Sequence, residues 1–288
     1  MASTCFDVET KDKIAHVRLN RPDALNTMTR EFWSELPEII NRISDEAAAR
    51  VIVLSSTGRH FTAGMDIGVF TGGGMGMGGQ PDGGGDQKSI EMGRQRANVR
   101  LAVLHLQETF SCLEKARMPV IAAVQGGCIG GGIDMISACD MRYATANAFF
   151  CIQEINIGIT ADVGTLQRLP KIIPEGIARE MAFTGIRMPA QRAREVGLVN
   201  DIFEDHEALM KGVTEIAAAI AERSPLAIWG SKEMINYTRD HSVADSLNYI
   251  ATWQTGMFQP ADLLESFTAK GEKRDPVYDD LIPPQRKL

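Results

Sequence analysis

The stretch that most constrains this chain is residues 119–134, where the apolar run Pro119-Val120-Ile121-Ala122-Ala123-Val124 empties into Gly126-Gly127-Cys128-Ile129-Gly130-Gly131-Gly132-Ile133-Asp134. The first part reads as a strand. The five glycines that follow let bare backbone N–H groups approach a ligand closely, and the positive end of a short helix, expected over residues 134–139, adds to them. The alternative is a tight strand-to-helix packing turn, for which two glycines would usually suffice.

The rest of the pattern is that of an α/β chain. Ile14-Ala15-His16-Val17-Arg18-Leu19 alternates as a half-buried strand does, and residues 20–23 turn the chain away from it. A helix is expected over about 29–44, with Thr29 at its start and Phe32, Leu36, Ile39, Ile40 and Ile43 at helical spacing. Val51-Ile52-Val53-Leu54 is β-branched and continuously apolar, as in a strand buried on both faces. Nine of the fourteen residues 72–85 are glycine, which predicts a mobile loop. Residues 74–79 formally match GxGxxG, but no strand leads in and no helix starts directly behind, so the match is taken as false. A long helix is expected over 89–115, strands near 140–144 and 148–153, and mostly helix from about 176, interrupted by a short strand at 198–203. Ser224-Pro225 opens the first of three closing helices. The division expected is a core over 1–203 and a helical region over 204–288.

Composition narrows the functional classes. The chain has 288 residues, 44% of them hydrophobic, and a formal charge of −7. It can bury a sizeable core, and it lacks the basic balance that nucleic acid or an anionic membrane surface would attract. No apolar run is long enough for a membrane anchor. The cysteines, Cys5, Cys112, Cys128, Cys139 and Cys151, are odd in number and irregularly spaced, as reduced packing residues in a cytosol-like compartment are. The first residues carry no signal or transit pattern. A cytoplasmic location is expected, with a peroxisomal one as the alternative because Arg286-Lys287-Leu288 partly resembles a peroxisomal address.

Two further segments carry possible chemistry. Phe61-Thr62-Ala63-Gly64-Met65-Asp66-Ile67 is a second glycine-bearing turn at a strand exit, and with the first it suggests two backbone donors aimed at one carbonyl oxygen. In residues 149–164, Glu154 and Asp162 sit alone among apolar neighbours, where desolvation would raise a carboxyl group toward the range useful for proton transfer. Capping of backbone groups in an irregular loop is the alternative for both. The five histidines show no shared metal spacing, so no metal is expected, and no GxSxG elbow occurs. His60 reads as a solvated loop residue. Arg59, Lys270 and Lys273 are cations that could meet phosphates, with solvated surface charge the favoured alternative.

Arg21-Pro22 with Ala24-Leu25-Asn26, the 61–67 loop, the Gly130-Gly131-Gly132 turn and Thr165-Leu166-Gln167-Arg168-Leu169-Pro170 together resemble the enoyl-CoA hydratase/isomerase (crotonase) superfamily, in the family's order over nearly the whole chain. The resemblance implies a spiral of ββα units followed by a C-terminal helical trimerisation region, assembled as a trimer or a dimer of trimers. It also implies an acyl-CoA thioester as substrate, held by residues 63–67 (Ala63, Gly64, Met65, Asp66, Ile67) and Gly131, with the Met65 and Gly131 N–H groups as an oxyanion hole. Hydratases of the family carry glutamate at the positions of Asp134 and Glu154 and a glycine at that of Asp162. The set Asp134, Glu154 and Asp162 is instead similar to the Δ3,5-Δ2,4-dienoyl-CoA isomerases of unsaturated fatty acid β-oxidation.

For that reaction the resemblance implies Asp162 as base at C2, Glu154 as acid at C6, and Asp134 in a supporting place, either bonded to a catalytic partner or shaping the pocket. No separate cofactor is expected, since CoA is part of the substrate. The alternatives are an enoyl-CoA hydratase or Δ3-Δ2-enoyl-CoA isomerase of the same superfamily, since fold does not fix reaction, and a non-catalytic RNA-binding relative, which the acidic charge disfavours.

Overall fold

The computed structural model describes residues 3–71 and 92–285. Its strands are β1 (Phe6–Lys11), β2 (Ile14–Leu19), β3 (Val51–Ser56), β4 (Val120–Val124), β5 (Gly127–Ile129), β6 (Met141–Thr145), β7 (Phe149–Cys151), β8 (Met188–Pro189) and β9 (Asp201–Phe203). Six of them form one sheet in the order β1-β2-β3-β4-β6-β9, and β5-β7-β8 form a second. The larger sheet is antiparallel only at its β1–β2 hairpin.

The chain passes repeatedly from one sheet to the other. β4 leaves the larger sheet, turns at Gly126 and continues as β5 in the smaller one; β6 does the same into β7. The Gly126 turn has φ +57°, and a Cβ there would lie 2.1 Å from the Arg59 carbonyl oxygen, so only glycine fits. After β3 the same passage is made by a single bridge, Thr62 beside Cys128. Strand, short strand and helix thus recur as the spiral of ββα units that the sequence led us to expect.

The apolar runs of β3 and β4 are explained by burial on both faces. Ile52, Leu54, Ala122 and Val124 join the main core with Phe32, Leu36 and Ile40 of α1 (Arg30–Glu46). Val51, Val53, Ile121 and Ala123 pack on the other face against Leu209, Val213 and Ala217. The intervening helices are α2 (Ile67–Thr71), α3 (Met92–Lys115), α4 (Gly131–Ser137), α5 (Thr165–Arg168), α6 (Glu175–Thr184) and α7 (Ala190–Glu195). The residues on the second face belong to α8 (His206–Ala221), which lies on the sheet as part of its cover.

Beyond it run α9 (Pro225–Thr238), α10 (Val243–Met257) and α11 (Pro260–Glu272). Lys232 of α9 is buried, and its ammonium donates to the Leu113 and Met118 carbonyls and to the Asp140 carboxylate, which ties this arm to the core.

Three expectations change. The helix placed at 134–139 begins at Gly131, inside the glycine run. Close packing overrides the poor helix propensity of glycine: a Cβ at Gly132 would lie 2.6 Å from Thr62 Cγ2 and 3.0 Å from Cys128 Sγ. The short strand at 198–203 is confined to Asp201–Phe203, and β8 appears where only helix was expected. The glycine-rich loop at 72–85, its GxGxxG match and residues 286–288 lie outside the described residues.

Candidate active site

Three segments meet around the first turn of α4. The 61–67 loop is sewn to β5 by the Thr62 N–H donating to the Gly127 carbonyl (3.1 Å) and the Ile129 N–H donating to the Thr62 carbonyl (3.2 Å). Gly64, at φ +87°, permits the approach, since a Cβ there would be 2.9 Å from the Ile129 carbonyl oxygen. The Met28 N–H donates to the Gly64 carbonyl and the Asp66 N–H to the Met28 carbonyl, at 2.9 and 3.0 Å. Those bonds flank Met65, and in a parallel bridge they leave its own N–H turned away from Met28. Gly131 is the first residue of α4, where the N–H has no intrahelical acceptor. Among the described residues no backbone carbonyl accepts from either group. The structure therefore brings the two sequence-predicted donors onto facing segments.

The carboxylates arrive from the other side. The Gly130 N–H donates to the Cys151 carbonyl at 2.9 Å, drawing the end of β7 to the start of α4. Glu154 follows at once, so near that a Cβ at Gly130 would lie 3.2 Å from its Oε1. Asp134, on α4 itself, is completely buried, and its Oδ1 accepts the Thr165 N–H at 2.6 Å. Its Oδ2 and the Glu154 Oε2 are both buried without a partner among the described residues. Buried polar atoms are nearly always paired; Asp134 has the Thr165 side chain beside it, which leaves the Glu154 Oε2 as the carboxylate oxygen open to a ligand. Burial, and then the neighbouring Asp134 charge, push the Glu154 carboxyl up to about 7; burial pushes Asp134 to about 6.

Asp162 differs from both. It is exposed at the rim on a loop, with desolvation of its inward side raising its carboxyl above the ordinary range. Its charge acts on Asp134 and on Glu154, so the three acids share one electrostatic site.

Other predicted residues serve the loops. Asp66 accepts from the Thr27 hydroxyl (2.8 Å) and the Gly68 N–H (2.9 Å), which closes the 61–67 loop and holds its carboxyl below the usual value. The Ala63 N–H donates to Leu25, and the Ile67 side chain is 76% exposed. His60 is not the solvated residue expected: its Nδ1 accepts the Gly127 N–H at 2.8 Å and its ring packs edge-on to Phe149, with burial lowering its pKa. Lys270 and Lys273 lie at the far end of α11.

Sequence reasoning passed over the braces. Asn26 is buried and bonds Arg21, Thr57 and His60, fixing the loop before Met28. The Thr62 hydroxyl donates to the Asn26 carbonyl and accepts from the Gly64 N–H. Both lie inside motifs already singled out, Ala24-Leu25-Asn26 and the 61–67 loop, whose polar members were the signal.

The family model for enoyl-CoA hydratase/isomerase matches residues 9–82 and 82–281. The chain belongs to the enoyl-CoA hydratase/isomerase family. It is 42% identical over 266 residues to a Homo sapiens protein named Delta(3,5)-Delta(2,4)-dienoyl-CoA isomerase, mitochondrial, covering 91% of this chain and 77% of the relative. It is 38% identical over 272 residues to the Arabidopsis thaliana protein named Delta(3,5)-Delta(2,4)-dienoyl-CoA isomerase, peroxisomal, covering 94% and 95%. The crystal structure of an enoyl-CoA hydratase from Bacillus anthracis superposes with a TM-score of 0.82 at 30% identity, covering 96% of this chain and 99% of that one. Family membership thus accounts for the ββα spiral.

Proposed function

We propose that this enoyl-CoA hydratase/isomerase family member converts 3,5-dienoyl-CoA to 2,4-dienoyl-CoA. The observation that carries it is the third acid: Asp162 is exposed while Asp134 is buried and Glu154 half-buried, and the Asp162 charge acts on both. The relatives named dienoyl-CoA isomerase support the same activity.

A 3,5-dienoyl thioester has acidic protons at C2. Ionised Asp162 takes one, and the negative charge spreads over the thioester oxygen, C2, C4 and C6. The Met65 and Gly131 N–H groups hold that oxygen, each worth about 2.7–4 kcal/mol where charge develops. Protonated Glu154 then delivers a proton to C6, and the 2,4-diene results. C2 and C6 are four bonds apart, about 5 Å at roughly 1.5 Å a bond, which suits two acids better than one. Asp134 keeps a neighbouring negative charge that favours the protonated form of Glu154, and its bond to Thr165 ties the Asp162 loop to α4. Both proton transfers are done by side chains, so no cofactor or metal is called for, and residues 63–67 with Gly131 line the thioester end.

The substrate is a soluble thioester, and no helix among the described residues is long and apolar enough to cross a membrane. The relatives' names place them in mitochondria and peroxisomes; for this chain we keep the cytoplasm first and the peroxisome second. Exposed Val243, Leu247, Leu263, Leu264 and Phe267 on α10 and α11 support a homo-oligomer, a trimer or a dimer of trimers. The test of activity is direct: mixing with 3,5-dienoyl-CoA should produce the long-wavelength absorbance of a conjugated dienoyl thioester. Rapid loss of enoyl absorbance from 2-enoyl-CoA, with no reaction of the diene, would assign the site to hydration instead.

A further inference from the structure

Ala161 and Val163, on either side of Asp162, are buried in the core, whereas Asp162 itself is exposed. On its outer side lies an open cavity of about 340 Å³, lined by Gln107, Glu114, Val163, Gly164, Arg168 and Lys171 among others. On that side hydrogen bonds to the loop backbone add to this packing. The Gln107 amide of α3 donates to the Asp162 carbonyl at 2.8 Å. Arg168 reaches back to the next carbonyl, that of Val163, at 3.4 Å. Its guanidinium also occupies the space beside Gly164, where a Cβ would come within 1.7 Å of Nη1. Arg168 is in turn anchored to α3, donating to the Ser111 hydroxyl (3.1 Å) and to Glu114 (2.7 Å). Glu114 holds a second arginine, Arg239 of the α9 end, at 2.6 Å, and these two cations keep its carboxyl below the usual range.

Resting on the function proposed above, we propose that Gln107 and the Glu114–Arg168 pair form a clamp that sets where the Asp162 carboxylate stands relative to substrate C2. They are positioning residues. The opposite acid needs no such device, because Glu154 is seated by the β5–β7 pairing and by Gly130. The clamp acts on two consecutive peptide carbonyls at the base itself, so loosening it retards proton removal at C2 and leaves thioester binding and proton delivery at C6 in place. A displacement near 1 Å at such a group can cost on the order of 100-fold.

The test is the primary kinetic isotope effect on kcat with C2-deuterated 3,5-dienoyl-CoA, together with kcat and KM, in Gln107→Leu, Arg168→Lys and the same-helix control Glu108→Gln. A ratio of rates is independent of how much of the protein is folded, so a stability loss alone would leave it unchanged. Gln107→Leu is expected to lower kcat about tenfold, hold KM within about twofold and raise the isotope effect, because C2 deprotonation becomes more rate-limiting. Arg168→Lys, which keeps the charge but loses the fork, should move the same way. Glu108, whose visible partner is Lys115 at the surface, should give wild-type values. An unchanged isotope effect in both clamp variants, with wild type active on the diene, would overturn the clamp alone. A wild-type protein inert toward 3,5-dienoyl-CoA would overturn the assigned activity and the clamp with it.

Discussion

The inner and outer walls of the site hold the same functional group by different means. On the inner wall, Asp134 and Glu154 are embedded beside α4 and β7, each with an oxygen that meets no partner among the described residues. On the outer wall, Asp162 stands in the open on a loop tied down through its backbone. Burial and the Asp134 charge make Glu154 reluctant to ionise, which suits a donor of protons. Exposure leaves the outer one easier to ionise, which suits a base. Thus two carboxylates acquire opposite roles from their surroundings.

The contrast predicts a ranking of effects. Asp162→Asn removes the base without disturbing the inner wall, so kcat on 3,5-dienoyl-CoA should fall by about 10²–10⁴-fold with KM little changed. Near-wild-type turnover would break the division of roles. Glu154→Gln should also cut kcat, by about 100-fold, and should do something that Asp162→Asn does not. A carboxyl group whose folded-state value is raised favours the folded state while protonated, and that contribution is lost as pH rises through about 7 for Glu154 and about 6 for Asp134. Wild-type Tm should therefore decline between pH 5 and 8. Glu154→Gln should abolish part of the decline and melt on the order of several degrees higher than wild type at pH 8, with little difference at pH 5.

The pH–rate profile sharpens the same contrast. With protonated Glu154 and ionised Asp162 as the working forms, kcat/KM should fall on the alkaline side around 7 and on the acid side as Asp162 gains its proton. The alkaline limb should vanish in Glu154→Gln, and its persistence there would assign that limb to another group. The smallest effect concerns the scaffold between the walls. Gly132→Ala forces Thr62 and Cys128 apart from α4, and we expect a loss of about 1–3 kcal/mol in stability, read by denaturant unfolding, with a modest drop in kcat.

How much of this was legible in the sequence follows the same division. Strands β3 and β4 announced themselves because burial on both faces demands unbroken apolar runs; Glu154 and Asp162 stood out because each interrupts apolar text, while Asp134 joined them through the family resemblance. The start of α4 was misplaced by three residues, since glycine reads locally as a breaker while its need here is set by Thr62, distant in the chain. β8 was missed because a two-residue strand has no period to detect. His60 was misjudged, and Gln107 and Arg168 were passed over as site residues, for one reason: each bonds a backbone N–H or carbonyl, and a peptide group leaves no trace in residue identity.

In the role proposed for them, the two N–H groups at Met65 and Gly131 have a consequence for descent. A donor supplied by the main chain survives any change of side chain that keeps the local path, so the oxygen-holding half of the site is largely immune to drift at position 65. The acids are not: each is a single codon on an otherwise intact frame. A lineage built on this spiral can therefore keep its grip on thioester oxygen while exchanging acids one at a time, and so diversify its reactions without ever passing through a form that has lost its substrate.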